Sequence, residues 1–407
     1  MDKVLLAFTG GVQSSVCLHW LRDHRGCKVK AFIADLGQTA RASEFGEQAL
    51  RLGAEGAHIE DLREEYCRDY VTRILKASAV HRRHNLLSSA LPRPLIAAAL
   101  VRIAREENFR YVAHGAGARS NDLARFEASI AALAPDLKVL GPRDIPCLRN
   151  REEALKYALE HEIVSKADLA TAALNIDVNL WGSCVAADPR TSTWEALPES
   201  AYQITSSPLE APAEPEEIVV EFQKGIPMSV DGRHGLLHEL IAQLNQRAGR
   251  HGVGRVEIME DRLVGIKARE IHETPGGTVL MAAHNALEEL TLDYETLQAK
   301  AEVALHYAEL VYNGGWFSQL REALDAFVEV TQEYVSGEVR LEMFRGNVSV
   351  SGRRSPWSLY DAELVLSDDE RRLEGKALGE IWSLRAFPYR VTAMLRSKGR
   401  NADKDRR

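Results

Sequence analysis

Phe8-Thr9-Gly10-Gly11-Val12-Gln13-Ser14-Ser15 follows directly on the apolar run Val4-Leu5-Leu6-Ala7. A buried strand that breaks at a Gly pair and resumes as a helix is a ready phosphate site. Gly10 and Gly11 let the backbone turn tightly and approach a ligand. Thr9, Ser14 and Ser15 add hydroxyl donors. The helix that Ser15 opens (Val16-Cys17-Leu18-His19-Trp20-Leu21) aims its partial positive end at the same spot. No Lys follows the glycines, which separates this loop from the nucleoside-triphosphate loop ending in Gly-Lys-Ser/Thr. A plain strand-to-helix turn is the bland alternative for a lone Gly pair.

The surrounding pattern makes the turn part of an α/β domain. Short apolar runs at Val4–Phe8, Val29–Ala34, Tyr111–Ala113 and Leu137–Leu140 read as strands. Ser15–His24, Ala42–Leu52, Glu64–Ala77, Pro94–Glu107 and Asp122–Ala132 read as helices between them. That alternation predicts a doubly wound parallel sheet with ligands at the carboxyl ends of its strands. The Gly10-Gly11 loop sits at such an end, and so does His114-Gly115-Ala116-Gly117 after Tyr111-Val112-Ala113.

The chain has 407 residues, too many for one ordinary core, and a formal net charge of −8. That charge implies no general attraction to nucleic acid or an anionic membrane. No apolar run reaches membrane-spanning length, and the N-terminus lacks a cleavable-signal pattern. The five cysteines have no paired spacing, so neither structural zinc nor a disulfide framework is expected. A reducing cytoplasm fits.

Ser206–Pro215 is rich in Ser and Pro and reads as a linker or long surface loop. Beyond it the pattern is α+β. Ile218–Phe222, Arg255–Ile258 and Thr278–Ala282 read as strands, and Leu236–Leu244, Thr291–Tyr312 and Ser318–Tyr334 as helices. Val339–Phe344 and Asn347–Val350 form a hairpin around Arg345-Gly346. A last apolar helix, Ala377–Ala386, precedes a charged tail, Ser397–Arg407, expected to be disordered.

The chain also resembles the argininosuccinate synthases, from its first strand to about residue 365. The matching pieces run in the family's order. They are Thr9–Ser15, Ala34-Asp35-Leu36-Gly37-Gln38, Leu91-x-Arg93-Pro94-Leu95-Ile96-Ala97, His114-Gly115-Ala116, Asn121-Asp122 and Arg125-Phe126-Glu127. Asn179-Leu180-Trp181-Gly182, Arg250–Arg255, Glu260-x-Arg262-x-x-Gly265-Ile266-Lys267, Glu273–Thr278, Gly315-Trp316-Phe317 and Ser358-Leu359-Tyr360 follow. The resemblance implies an N-terminal domain of the adenine nucleotide alpha hydrolase type, an N-type ATP pyrophosphatase, over 1–168. It implies a synthetase and multimerisation domain over 169–365, and an oligomerising helix with its tail over 366–407. It further implies a cytoplasmic homotetramer.

The family adenylates the ureido oxygen of citrulline with ATP, after which the amino group of aspartate displaces AMP. The resemblance implies an ATP site at Ala7, Phe8, Thr9, Gly10, Gly11, Val12, Gln13, Ser14 and Ser15, with Ala34 and Gly115. It implies an aspartate site at Gly117, Asn121 and Asp122. It implies an acceptor site at Asn85, Ala90, Asn121, Arg125, Asn175, Cys184, Glu260 and His272. Mg²⁺ would arrive with ATP rather than on protein ligands.

This sequence departs from the family at clustered positions. Gln13 replaces an Asp beside the magnesium-phosphate site, and Gly117 replaces a Thr. In the acceptor site Asn85 and His272 replace Tyr, and Ala90, Asn175 and Cys184 replace Ser. Each lost buried partner costs about 1–3 kcal/mol of recognition. Arg125 suits a carboxylate and Glu260 a polar cation. The expectation is therefore an AMP- and pyrophosphate-forming carbon–nitrogen ligase that joins aspartate, or a related amine, to an acceptor other than citrulline. A genuine argininosuccinate synthase and an inactive nucleotide-binding relative are the alternatives. Cys184 is read as a packed thiol, and His272 as packing or ligand contact. The run His81-Arg82-Arg83-His84 is read as a solvated face or an anion contact.

Overall fold

A computed structural model describes residues 1–38, 42–165, 175–362 and 375–404. Met1–Trp357 forms one compact unit and Ser358–Arg407 a second. The first unit begins with a five-stranded sheet in the order β3-β2-β1-β4-β5. Its strands are β1 (Lys3–Ala7), β2 (Lys28–Asp35), β3 (Gly56–Asp61), β4 (Tyr111–His114) and β5 (Lys138–Leu140). Every pairing is parallel, with Ala7 opposite both Phe32 and His114. Val4, Leu5 and Leu6 are wholly buried, as a strand covered on both faces requires. The strand order reverses between β1 and β4, and ligands bind in the crevice outside the carboxyl ends at such a switch point. Both glycine-bearing loops emerge there.

Helices α1 (Val12–Asp23), α2 (Ala42–Arg51), α3 (Pro92–Glu106) and α4 (Asn121–Leu133) follow the expected order, and α5 (Arg151–Glu160) is a helix that the sequence pattern did not single out. The Glu64–Ala77 stretch is helical but passes through a π turn at Tyr66–Val71.

Two antiparallel sheets follow. One has four strands in the order β11-β12-β7-β6, built from β6 (Asn175–Asn179), β7 (Gly182–Ala186), β11 (Arg255–Asp261) and β12 (Lys267–Glu273). The other has five strands in the order β10-β9-β8-β13-β14, from β8 (Glu216–Gln223), β9 (Ile226–Val230), β10 (Arg233–His234), β13 (Gly337–Phe344) and β14 (Asn347–Arg354). The four-stranded sheet meets the first domain directly, since Leu180 N donates to Leu36 O at 2.8 Å. The hairpin around Arg345-Gly346 forms as expected.

Helices α6 (Leu237–Arg250), α7 (Pro275–Thr291), α8 (Tyr294–Tyr312), α9 (Gln319–Thr331) and α10 (Gly375–Lys404) are the longer helices of the remaining described chain. Two expectations fail. Thr278–Ala282 is not a strand but the interior of α7. Val279, Leu280 and Met281 are all buried there, and a helix segment covered all round shows no 3.6-residue period. Residues 397–404 are helical rather than disordered, continuing α10 in spite of Gly399, Asn401 and Asp403, and residues 405–407 of the expected tail lie outside the described residues. Ser206–Pro215 is a loop without helix or strand, yet Ser207 and Ala211 are buried in it. No helix among the described residues is long and apolar enough to cross a membrane.

Candidate functional site

The break after β1 has the geometry of a phosphate cradle. Gly10 adopts φ +72°, and a Cβ there would fall 2.3 Å from the Phe45 ring. Gly11 then caps α1 with extended backbone. Ser14 Oγ donates to Gly11 O at 2.9 Å and lies 3.2 Å from Thr9 Oγ1. Gln48 ties the loop from α2, donating to Gly10 O at 3.0 Å and to Ser15 Oγ at 3.3 Å. From the β4 side Gly115 comes so close that an added Cβ would sit 2.7 Å from Ser14 N. The two loops therefore meet backbone to backbone, leaving the first amides of α1 facing one opening.

That opening is a cavity of about 920 Å³. Ala7 through Ser15, Ala34 and Gly115 all line it. So do Asp122, Arg125, Cys184 and Glu260. The sequence-derived nucleotide positions and these four substrate positions thus share one space.

Other expected residues stand elsewhere. Asn85 is buried and turned into its own loop, its Oδ1 accepting from Leu87 N at 2.7 Å. Ala90 is buried and outside the cavity lining. Asn121 is spent on structure: Nδ2 donates to Tyr312 Oη at 2.7 Å and to Asp261 O at 3.1 Å, and Oδ1 accepts from Leu263 N at 2.8 Å. Gly117 lies behind Gln13, where a Cβ would stand 2.8 Å from Gln13 Nε2. Asn175 pairs with Ala186 through its backbone in β6. His272 is buried and reaches the cavity wall through Cys184, with Nε2 3.5 Å from Sγ.

The charged centre of the cavity joins three elements. Arg125 Nη1 and Arg93 Nη2 donate to Asp122 at 2.8 and 2.9 Å. Arg93 also reaches Asp177 on β6. Burial works to raise the Asp122 carboxyl, but Arg93 and Arg125 hold it down at about 2. Burial raises the Asp177 carboxyl, and neighbouring Asp122 adds to the rise. Arg125 Nε donates to Tyr312 O at 2.9 Å, and its guanidinium stacks over the Tyr312 ring at 4.9 Å. Its Nη2 is buried with no protein partner. A buried guanidinium nitrogen left unpaired is costly, and at a cavity wall it is a donor for an anionic ligand. Burial pushes the Glu260 carboxyl up. His114 lies under the cavity, stacked on Phe126, and burial lowers its pKa to about 4.

Arg93, Asp177, Gln48, Tyr312 and Glu270 belong to this site, and the sequence reading did not assign them. Arg93 stood inside a quoted family block and could have been singled out. Asp177, Tyr312 and Glu270 enter through strand register and helix packing, for which the sequence carries no local signal.

Comparisons agree on kinship. Residues 3–164 match the family model described as the arginosuccinate synthase N-terminal HUP domain, and residues 174–391 match that of the C-terminal domain. The argininosuccinate synthase of Aquifex aeolicus (strain VF5) is 44% identical over 399 residues, covering 97% of this chain and 98% of that protein. That of Desulfitobacterium hafniense (strain DSM 10664 / DCB-2) is 41% identical over 401 residues, covering 98% and 99%. That of Roseiflexus sp. (strain RS-1) is 41% identical over 404 residues, covering 98% of each.

Proposed function

Because the chain belongs to the argininosuccinate synthase family of ATP-dependent ligases, we propose that it condenses citrulline with aspartate, releasing AMP and pyrophosphate. The observation that carries this reading is the single cavity running from the Gly10–Ser15 cradle to the unpaired Arg125 Nη2 and the Glu260 carboxylate.

A urea oxygen is a poor leaving group and AMP a good one, so the acceptor is first adenylated. The protein's part is alignment: the α1 amides and the Thr9, Ser14 and Ser15 hydroxyls hold the phosphates, while Arg125 and Glu260 hold the amino-acid end of the acceptor. Asp122, kept ionised by Arg93 and Arg125, faces the aspartate ammonium. The Gly10–Ser15 loop contains no carboxylate. Magnesium would therefore be carried on ATP, where it would neutralise the departing pyrophosphate. A cytoplasmic homotetramer completes the proposal.

The near full-length identity supports citrulline over the different acceptor that the sequence departures suggested. A second reading, with another carbonyl acceptor, is favoured by one specific observation. Cys184, Glu270 and His272 crowd the acceptor wall with groups that can bind a metal. Pyrophosphate release with ATP and aspartate, with and without citrulline, separates the readings. Citrulline-dependent release at a kcat/KM on the order of 10⁴ M⁻¹s⁻¹ or above supports the first. Negligible release with citrulline, together with exchange of labelled pyrophosphate into ATP on addition of another ureido or amide compound, supports the second. Failure of both points to the inactive relative.

A further inference from the structure

Cys184, Glu270 and His272 are all buried, and the ligation chemistry above gives Glu270 no part. Strand register assembles them. Cys184 on β7 stands opposite His272 on β12, and Glu270, two residues before His272, shares its face. Cys184 Sγ is 3.4 Å from Glu270 Oε2 and 3.5 Å from His272 Nε2, and those two atoms are 3.2 Å apart.

These separations are the edges of a coordination tetrahedron. With Zn–N and Zn–O of about 2.0–2.2 Å and Zn–S of about 2.3 Å, tetrahedral angles place two nitrogen or oxygen ligands about 3.4 Å apart. They place sulfur about 3.6 Å from either. The donor set, one thiol, one imidazole and one carboxylate, is drawn from the three ligand types that zinc takes.

Two of the three donors are also aimed by a second contact. His272 Nδ1 lies 3.5 Å from Ser88 Oγ, so a proton on Nδ1 has an acceptor and Nε2 keeps its lone pair for the trio. Arg262 donates to Glu270 Oε1 and leaves Oε2 turned to Cys184 and His272. A thiolate and a carboxylate together balance a dication, and Arg262 pairs with the carboxylate's other oxygen. Cys184 and Glu270 line the cavity while His272 closes the trio from behind.

We propose that Cys184, Glu270 and His272 bind one zinc ion whose fourth position opens into the acceptor end of the cavity. Three protein ligands with one open position is the pattern of zinc that meets a substrate rather than zinc that only staples a fold. The fourth ligand is a water, or an oxygen or nitrogen of the acceptor. The proposal concerns the resting protein and does not depend on which acceptor is used.

Cobalt substitution in the full-length, chelator-stripped chain tests it without any turnover. The expected result is a near-ultraviolet thiolate-to-cobalt charge-transfer band with intense visible bands of a tetrahedral ion. Both saturate at one ion per chain and vanish when zinc is added. Cys184→Ser abolishes the charge-transfer band and Cys147→Ser keeps it. Ser88→Ala weakens the affinity by about 10–100-fold, as loss of an orienting partner does. Should a variant fail to fold by circular dichroism, zinc-edge X-ray absorption on the unaltered protein gives the same answer: one sulfur and otherwise nitrogen or oxygen neighbours. Absence of the charge-transfer band from the unaltered protein, or its persistence in folded Cys184→Ser, overturns the proposal and leaves a merely hydrogen-bonded trio.

Discussion

Gln13 fills the space that Gly117 leaves, with its Nε2 2.8 Å from where a Cβ on Gly117 would stand. Two departures from the family that look independent in sequence are therefore one contact. Gly117→Thr should push Gln13 aside, and Gln13→Asp should relieve the clash. A double-mutant cycle on thermal stability is expected to give a coupling of at least about 0.5 kcal/mol, and purely additive effects would contradict the contact. His114 carries a second residue-scale consequence. Burial lowers its pKa from 6.5 to about 4, so the folded state holds it neutral while the unfolded chain takes up a proton first. Its contribution is whole above about pH 6.5 and is lost as pH falls toward about 4, a change on the order of 3 kcal/mol. Denaturant midpoints measured across that range should fall in the unaltered chain. In His114→Phe they should fall much less, and equal slopes would assign the loss to other groups.

At the scale of elements, the strand–Gly pair–helix unit was legible because its signals are local. An apolar run, two glycines and a helix start lie within a dozen residues, and the structure builds them as written. Gly115 shows what such a signal omits. Its Cβ position is 2.7 Å from Ser14 N and 2.8 Å from Ser14 Cα, backbone atoms that cannot step aside. Gly115→Ala should part the two loops, raising the KM for ATP at least about tenfold and costing about 1–3 kcal/mol of stability. An unchanged KM would show that the loops need not touch. The acceptor wall was legible only in part. Cys184 and His272 could be named from family blocks, but their contact with each other and with Glu270 arises from the pairing of β7 with β12. Strand β7 is short and was not recognised, and no residue pattern announces which strand it will meet. Helix α7 was misread for the opposite reason, since burial on every side erases the periodicity that distinguishes helix from strand.

At the scale of the whole molecule, α10 exposes Trp382 (67%), Leu384 (72%) and Phe387 (61%). We propose that these exposed apolar side chains form part of a surface on which subunits associate. Light scattering on the full chain should report a tetramer, and Trp382→Glu with Leu384→Glu should lower the mass; a monomer at micromolar concentration would remove the proposal. The central claim, however, is the way the chain cleaves ATP. The Gly10-Gly11 cradle has no Lys to grip a terminal phosphate, and its cavity continues toward Arg125 and Glu260 rather than closing over the nucleotide. Turnover with ATP labelled at the α-phosphate, in the presence of aspartate and citrulline, followed by chromatography and mass analysis of the products, tests this directly. The account predicts labelled AMP in step with pyrophosphate and the condensed amino acid. Labelled ADP with inorganic phosphate would contradict it.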